Sequence, residues 1–307
     1  MPRFSIVIPV FNAEATIAET LDAIAAQTVA DWEVILVDDG STDGTAAILR
    51  ERLREDSRLR AFRNPGKGPS AARNFGVSKP ARGDIIAFCD ADDMWEPEKL
   101  ARLDRMFADP GIDAAYGQVA FFPGDRRGAM RRSTVPSGAL TAEMLMGENP
   151  VCTMSNLSIR RSVFRAQGGL DETMVYNEDL DFLIRLVTRG IRIVGDPALH
   201  IRYRTDNGGL SSRLVAMRDG RRAVLARAKR SGLRPSRAQE AVFLRHLARR
   251  ALRTEDGTRA ALRFALEGLA THPRAFLSPV RRGLATAVAA LVSPALPRPL
   301  RRALFAA

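Results

Sequence analysis

Along the first two thirds of the chain, short continuous apolar runs alternate with stretches in which apolar residues recur every three or four positions. The runs Phe4 to Val10, Val34 to Val37 and Ile85 to Cys89 have the length and flanking turn residues of strands buried on both faces. Between the first two, Ile17, Leu21 and Ile24 fall on one face of a helix that Asn12 is placed to cap. Ile48, Leu49 and Leu53 do the same over Thr45 to Arg54; Leu59 to Phe62 reads as a strand, and Ser70 to Ser78 as a short helix before the strand Asp84 to Cys89. Such alternation predicts an α/β domain with a doubly wound, mostly parallel sheet and helices on both faces. After Pro97 the pattern predicts a helix to Phe107 and a strand over Ala114 to Phe122. The order then becomes less regular, with a strand over Asn156 to Ile159, a helix over Asp179 to Thr188, and strands Ile191 to Val194 and Leu199 to Arg204, so the sheet is expected to be mixed.

Two of the buried runs end in acid. Asp38-Asp39 follows Val34 to Val37, and Asp90-Ala91-Asp92-Asp93 follows Ile85 to Cys89. Open parallel sheets bind ligands outside the carboxyl ends of their strands, so both clusters are expected to face one crevice. Adjacent carboxylates repel one another at neutral pH unless a metal, hydrogen bonds or an arginine offset the charge. Turn chemistry, with Thr42 or Asp43 capping the next helix, accounts for Gly40 to Thr45 but not for the paired carboxylates. In an extended segment Asp90 and Asp92 project to one side, which suits a metal such as Mg2+ or Mn2+ that completes its shell with phosphates and water. Asp92 or Asp93, the latter above all, has a competing role as a cap for the helix beginning near Pro97. Asn177-Glu178-Asp179-Leu180-Asp181 places three carboxylates ahead of an apolar helix, where capping and the helix dipole explain one of them.

These acids stand in a basic chain whose 307 residues carry a formal net charge of +12. The excess is uneven: residues 1–214 hold 27 Lys+Arg against 30 Asp+Glu, and residues 215–307 hold 20 against 5. Charge therefore divides the sequence into a near-neutral domain, 1–214, and an arginine-rich helical C-terminal region, 215–307. In that region Arg221-Arg222, Lys229-Arg230, Arg249-Arg250, Arg281-Arg282 and Arg301-Arg302 recur among Ala, Leu and Val. The pattern suits an anionic membrane surface, and equally a helical appendage packed on the first domain, because arginine stems cover apolar surface. Nucleic acid is not an expected partner, since aromatic residues for stacking are scarce there, Phe243, Phe264 and Phe276 among them. Cys89 and Cys152 fit no metal spacing and read as free thiols of a reducing compartment. The sequence enters its first strand without a basic leader, and no charge-free run reaches the roughly 20 residues of a spanning helix. A cytoplasmic location, peripheral on the inner face of the cell membrane, is the expectation.

Pro9-Val10-Phe11-Asn12 follows the first strand where a nucleotidyltransferase, a P-loop protein or a dinucleotide binder needs a glycine-rich loop. The decisive feature is a set of motifs in order: Phe4 to Asn12, Val37-Asp38-Asp39-Gly40-Ser41-Thr42-Asp43-Gly44-Thr45, Gly68-Pro69-Ser70-Ala71-Ala72-Arg73-Asn74-Phe75-Gly76, Asp90-Ala91-Asp92-Asp93 and Glu178-Asp179. Over about residues 3 to 213 the set resembles glycosyltransferase family 2, nucleotide-sugar transferases of the GT-A fold. The resemblance implies inverting, metal-dependent transfer of a hexosyl or N-acetylhexosaminyl group from a nucleoside diphosphate sugar, UDP-linked by preference. The implied acceptor is a hydroxyl of a glycan or lipid-linked molecule in surface polysaccharide or glycolipid synthesis. A non-catalytic nucleotide-sugar or membrane-binding module of the same fold is the alternative, and the presence of Asp92 and Asp179 weighs against it.

By the same resemblance, Pro9, Val10, Phe11 and Asn12 line the nucleotide pocket with Glu14 close by, Asp39 reads the base, and Arg73 approaches the nucleotide or its diphosphate. Asp90 is the implied ribose contact, Asp92 the ligand of Mn2+ or Mg2+, and Asp179 the catalytic base, with Glu178 and Asp93 as secondary members. One segment departs from the family: Asp206 stands where a histidine is expected after Tyr203-Arg204. Arg204, Ser211 and Arg213 are still expected to meet phosphate, and Gly208-Gly209 suits a mobile lid. His200, His246 and His272 have no metal spacing and read as structural or surface residues.

Overall fold

The computed structural model of the protein describes residues 1–122, 131–205, 214–230, 232–254 and 257–305. The chain divides into two units, one of Met1–Phe121, Arg131–Leu140 and Pro150–Thr205, the other of Phe122–Met130, Thr141–Asn149 and Asp206–Ala307.

The strands, numbered in chain order, are β1 (Phe4–Val10), β2 (Trp32–Asp38), β3 (Leu59–Arg63), β4 (Ile85–Phe88), β5 (Met94–Trp95), β6 (Ala114–Phe122), β7 (Arg131–Arg132), β8 (Ser158–Arg160) and β9 (Ile193–Arg204). Among the described residues they form one sheet in the order β3-β2-β1-β4-β8-β6-β9-β5, with β7 on β6. The β3-β2-β1-β4 half is parallel, and β8 turns the sheet antiparallel against both β4 and β6. Continuous apolar sequence is what a strand covered on both faces requires, and Ile6, Val7, Ile8 and Val34 to Val37 are fully buried. The covering helices are α1 (Ile17–Ala25), α2 (Thr45–Glu55), α3 (Gly68–Ser78), α4 (Lys99–Phe107), α6 (Arg161–Ala166) and α7 (Glu178–Thr188). Helix α1 buries Ile17, Leu21 and Ile24, and α4 buries Leu100, Leu103 and Phe107, in one core with β1, β2 and β4.

The expected elements recur with local differences. Helix α1 begins at Ile17 with Thr16 at its N-cap; Asn12 instead takes a left-handed backbone, φ 47°, and accepts from Thr42 N (2.8 Å). The two late strands are one, because β9 continues through Asp196-Pro197. The two-residue β5 pairs antiparallel with β9, Met94 opposite Arg202 and Trp95 opposite Ile201, and is too short to carry a periodic signal. His200 on β9 is fully buried, its Nε2 3.0 Å from Asp196 Oδ2. Its ring packs so closely on Gly117 that a Cβ there would lie 2.0 Å from it.

The second unit contains α5 (Ala142–Gly147), α8 (Leu214–Arg230), α9 (Arg237–Ala251), α10 (Thr258–Thr271), α11 (Pro273–Leu277), α12 (Val280–Val292) and α13 (Arg298–Phe305). Leu244, Leu247, Phe264, Phe276, Ala287 and Ala290 form its core. Several basic residues act inside it. Arg221, 3% exposed, donates to Met146 O (2.6 Å), pairs with Glu240 (2.8 Å) and lies over Phe243. Arg245, equally buried, donates to the carbonyls of Ala275, Phe276 and Ser278. Glu148 receives Arg282 (3.6 Å), His246 (3.5 Å), Arg245 (3.8 Å) and Arg249 (4.0 Å). Among the described residues no helix is long and apolar enough to cross a membrane.

Candidate active site

Parallel pairing dictates where the acids gather. Val10 is in register with Asp38, and Val7 with Phe88, so Pro9 to Asn12, Asp38-Asp39 and Asp90 emerge along one edge, at the carboxyl ends of three adjacent strands. Asp39 N continues the ladder to Val10 O (2.8 Å), and its carboxylate accepts from Asn64 Nδ2 (2.7 Å) and Gly68 N (3.0 Å). Gly68 makes that contact from φ 85°, a backbone that glycine adopts without penalty. Lys67 stands 3.2 Å from Asp39 and over the ring of Phe11, which is 54% exposed. An exposed aromatic, a carboxylate and a lysine thus border one end of the crevice. The neighbours are committed to the turn: Asp38 accepts from Ser41 N and Oγ, Glu14 from Gly44 N, and Asp43 from Thr45 N at the start of α2. Val10 contributes backbone alone, since its side chain is fully buried.

At the centre, Arg73 of α3 is 5% exposed and joins two elements distant in sequence. Its Nη2 donates to Asp90 Oδ1 (2.6 Å) and its Nη1 to Glu178 Oε1 (3.4 Å). Burial alone would lower the arginine's pKa, but Asp90, Glu178 and Asp179 hold it above its ordinary value. Thr153 Oγ1 donates to the second Asp90 oxygen (3.1 Å), and Asp90 N donates to Ser155 Oγ (3.0 Å). Glu178 and Asp179 open α7 behind Asn177, whose backbone is left-handed. Burial, then the charge of Asp179, pushes Glu178 up to about 7. Burial likewise raises Asp179, with backbone hydrogen bonding and Arg73 opposing it. Asp181 is separate: it pairs with Arg185 (2.9 Å), which also donates to Gln167 O and Gly169 O, so this third carboxylate ties α7 to the preceding loop.

Asp92 is half-buried, and its carbonyl accepts from Arg204 Nε (3.3 Å). Neither Asp92 nor Asp93 caps α4, which starts at Lys99 behind Glu98. Asp93 is fully buried, accepts from Arg204 N (3.4 Å), and is raised well above its ordinary range by burial and by Asp90 and Asp92. The Arg204 guanidinium is also engaged by Glu19. Beneath this group lies the buried Lys99, whose Nζ donates to Ser155 O (3.0 Å) and lies over Trp95; burial lowers its pKa to about 7. Among the described residues no three His, Cys, Asp or Glu gather to hold a metal by themselves. Mg2+ and Mn2+ are commonly held by one or two carboxylates plus phosphates and water. Asp92, a half-buried carboxylate two residues from Asp90, is of the chemical type that such a donor set uses.

The family model described as glycosyl transferase family 2 matches residues 5–168. The chain belongs to glycosyltransferase family 2. A PGL/p-HBAD biosynthesis glycosyltransferase of Mycobacterium bovis is 33% identical over 227 residues, 70% of this chain and 81% of that protein. An uncharacterised glycosyltransferase of Haemophilus influenzae is 37% identical over 122 residues, 39% of this chain and 48% of that protein, so the chain matches about half of its length. Among solved structures, Staphylococcus aureus TarS in complex with UDP-GlcNAc superposes with a TM-score of 0.61 at 20% identity, covering 94% of this chain and 89% of that one. The mannosyltransferase PcManGT of Pyrobaculum calidifontis, in complex with GDP-Man and Mn2+, gives 0.60 at 22% identity, covering 98% and 79%. At these identities the likeness establishes the fold, an α/β fold of GT-A type.

Within this family 2 chain, Asp39, Arg73, Asp90, Asp92, Glu178 and Asp179 all belong to the first unit. Ser211, with Asp206, Gly208, Gly209 and Arg213, lies outside the described residues. Sequence reasoning passed over Asn64, Thr153, Ser155 and Lys99. Thr153 and Ser155 carried a faint signal, since Thr153 caps the 3₁₀ turn Met154–Asn156 by accepting from Ser155 N. Lys99 carried none, because a lysine in a helix's first turn reads as solvated.

Proposed function

We propose that the protein is an inverting, metal-dependent glycosyltransferase. It moves a sugar from a nucleoside diphosphate sugar, UDP-linked by preference, to a hydroxyl of a glycan or lipid-linked acceptor in surface polysaccharide or glycolipid synthesis. The observation that carries the reading is the Arg73 bridge: one buried guanidinium joins Asp90, at the end of β4, to Glu178, at the start of α7, so binding carboxylates and a candidate base share one crevice.

Asp39, held by Asn64 and Gly68, presents its carboxylate to the base, with Phe11 as an exposed aromatic surface beside it. Asp90 keeps lone pairs for a ribose hydroxyl beyond its bonds to Arg73 and Thr153. Asp92 would hold Mn2+ or Mg2+, which would supply positive charge against the diphosphate leaving group. Asp179 takes the proton of the acceptor hydroxyl as that oxygen bonds to the anomeric carbon and the carbon–phosphate-oxygen bond breaks, releasing the nucleoside diphosphate. Its raised pKa makes it a stronger proton acceptor than an exposed aspartate. The neighbours solved with UDP-GlcNAc and with GDP-Man and Mn2+ support a nucleotide-sugar donor and a divalent ion. The first domain, 1–214, performs the chemistry. The region 215–307 attaches the enzyme peripherally to the cytoplasmic face of the membrane, where a lipid-linked acceptor resides.

Asp179→Asn tests the assignment. Transfer from a panel of nucleoside diphosphate sugars should fall by at least about a hundredfold, as for loss of a general base, while donor affinity stays within a factor of about two. Turnover comparable with the wild type would remove Asp179 from the role.

A further inference from the structure

Helix α12 packs the wrong way round for a helix whose sole task is to complete a soluble bundle. It buries its small residues, Gly283, Thr286, Ala287 and Ala290, and exposes its large ones: Val280 (69%), Leu284 (53%), Val288 (51%), Leu291 (58%) and Val292 (45%). Spacings of three and four place these side chains on one stripe. Leu300 and Leu304 of α13 are exposed as well, so seven of the eleven exposed large apolar residues among the described ones fall between 280 and 304. The stretch from Gly283 to Pro297 has no charged residue, and the exposed Arg281 stands at its start. Thirteen residues make a helix about 20 Å long, suited to lying in a membrane interface rather than crossing it.

We infer that the exposed face of α12 is the surface by which the protein enters an anionic lipid bilayer, with Val280, Leu284, Val288 and Leu291 dipping among the acyl chains. This rests on the reading that the region 215–307 meets a membrane, and it adds which side chains make the contact. Charge selects the occupant. The region carries 20 Lys+Arg against 5 Asp+Glu and stays strongly positive with the buried Arg221 and Arg245 set aside, with Arg259, Arg274 and Arg281 exposed, so a second copy of the chain would bring like charge to the stripe, whereas anionic headgroups complement it.

The full chain is tested by co-sedimentation with vesicles of equimolar phosphatidylglycerol and phosphatidylcholine, beside vesicles of phosphatidylcholine alone. Wild type should bind the anionic vesicles, and the combined Leu284→Ser, Val288→Ser and Leu291→Ser variant should bind at least about tenfold more weakly. All three positions are exposed, so circular dichroism and affinity for UDP should be unchanged. Val288→Trp supplies a direct readout, a blue shift of its emission on adding anionic vesicles. If the triple variant binds like wild type, or the tryptophan does not shift, the α12 surface is wrong while membrane attachment of 215–307 stands. If wild type binds neither vesicle, both fall. A wild-type dimer that the triple variant converts to monomer would make the stripe a contact between copies and overturn the proposal.

Discussion

Glu178→Gln is expected to stabilise the protein above pH 7 and to leave it nearly unchanged below pH 4.5, the two limits set by the Glu178 carboxyl. In the folded chain burial and the charge of Asp179 push that group up to about 7 from an ordinary 4.5, with Arg73 only partly offsetting them. Below 4.5 the carboxyl is protonated in both states and the shift costs nothing. Between 4.5 and 7 the unfolded chain ionises Glu178 while the folded chain holds the proton, so the folded state binds more protons and stability falls as pH rises. Above 7 the whole cost is in place. The gap, 7 less 4.5, at about 1.4 kcal/mol per unit, comes to on the order of 3 kcal/mol. The side chain is 15% exposed, so solvent screening removes little of it. Because Glu178 and Asp179 interact, the cost belongs to the pair, and neutral glutamine removes the repulsion while Arg73 keeps Asp90 as partner. Urea unfolding of both proteins, with chelator and without donor, at one pH below 4.5 and one above 7, checks the sign. An equal wild-type-to-variant difference at the two pH values would refute the reasoning.

Asp92→Ala should abolish the part of UDP affinity that depends on Mn2+ and leave the metal-free affinity alone; calorimetric titration with and without chelator reads this, and identical affinities for both proteins in Mn2+ would exclude Asp92 as a ligand. In the second unit, Glu148 is held down to about 2 because its hydrogen bond to His246 and the surrounding positive charge outweigh burial. Its stabilisation is therefore present above 4.5 and lost as pH falls through 2. Glu148→Gln should cost roughly 1–3 kcal/mol at neutral pH once partial exposure is allowed for, and the deficit should shrink on acidification below 4.5. A deficit independent of pH in denaturant unfolding would contradict that account.

The parallel half of the sheet was legible because its signal is local: a strand buried on both faces must be apolar along most of its length, and β1, β2 and β4 are, the buried Ser5 and Glu33 being hydrogen-bonded to each other. The acids at the strand ends were legible for the same reason, since topology alone brings those ends together. What escaped depended on contacts between distant segments. That Arg73 would sit between Asp90 and Glu178 needs α3, β4 and α7 in place; the resemblance singles out the arginine but gives it no carboxylate partners. Lys99 shows the limit more sharply, because its burial follows from packing against Trp95 and Ser155, and nothing in the residue's own neighbourhood distinguishes it from a solvated lysine. Asp93 and Asp92 are adjacent and chemically identical, yet one is fully buried and the other half-buried; Arg204 of β9 meets the first at its carboxylate and the second at its backbone carbonyl.

The basic C-terminal region carries a related lesson about charge. Counting places 20 Lys+Arg there, and a count treats every one as available to an anionic surface. The packing does not: Arg221 and Arg245 are 3% exposed and spend their donors on Met146, Glu240 and the carbonyls after α10, and Arg282 faces Glu148. Such arginines stabilise the unit whether or not a membrane is present, so the net charge overstates the electrostatic pull on lipid. The feature that folding alone leaves unexplained is apolar. A helix that completed a soluble bundle would bury Leu284, Val288 and Leu291 and expose Ala287 and Ala290; α12 does the reverse, and exposing large aliphatic side chains to water is a cost that an apolar partner removes. If lipid is that partner, binding should keep a component that survives high salt, since screening weakens the headgroup attraction but not the burial of the stripe.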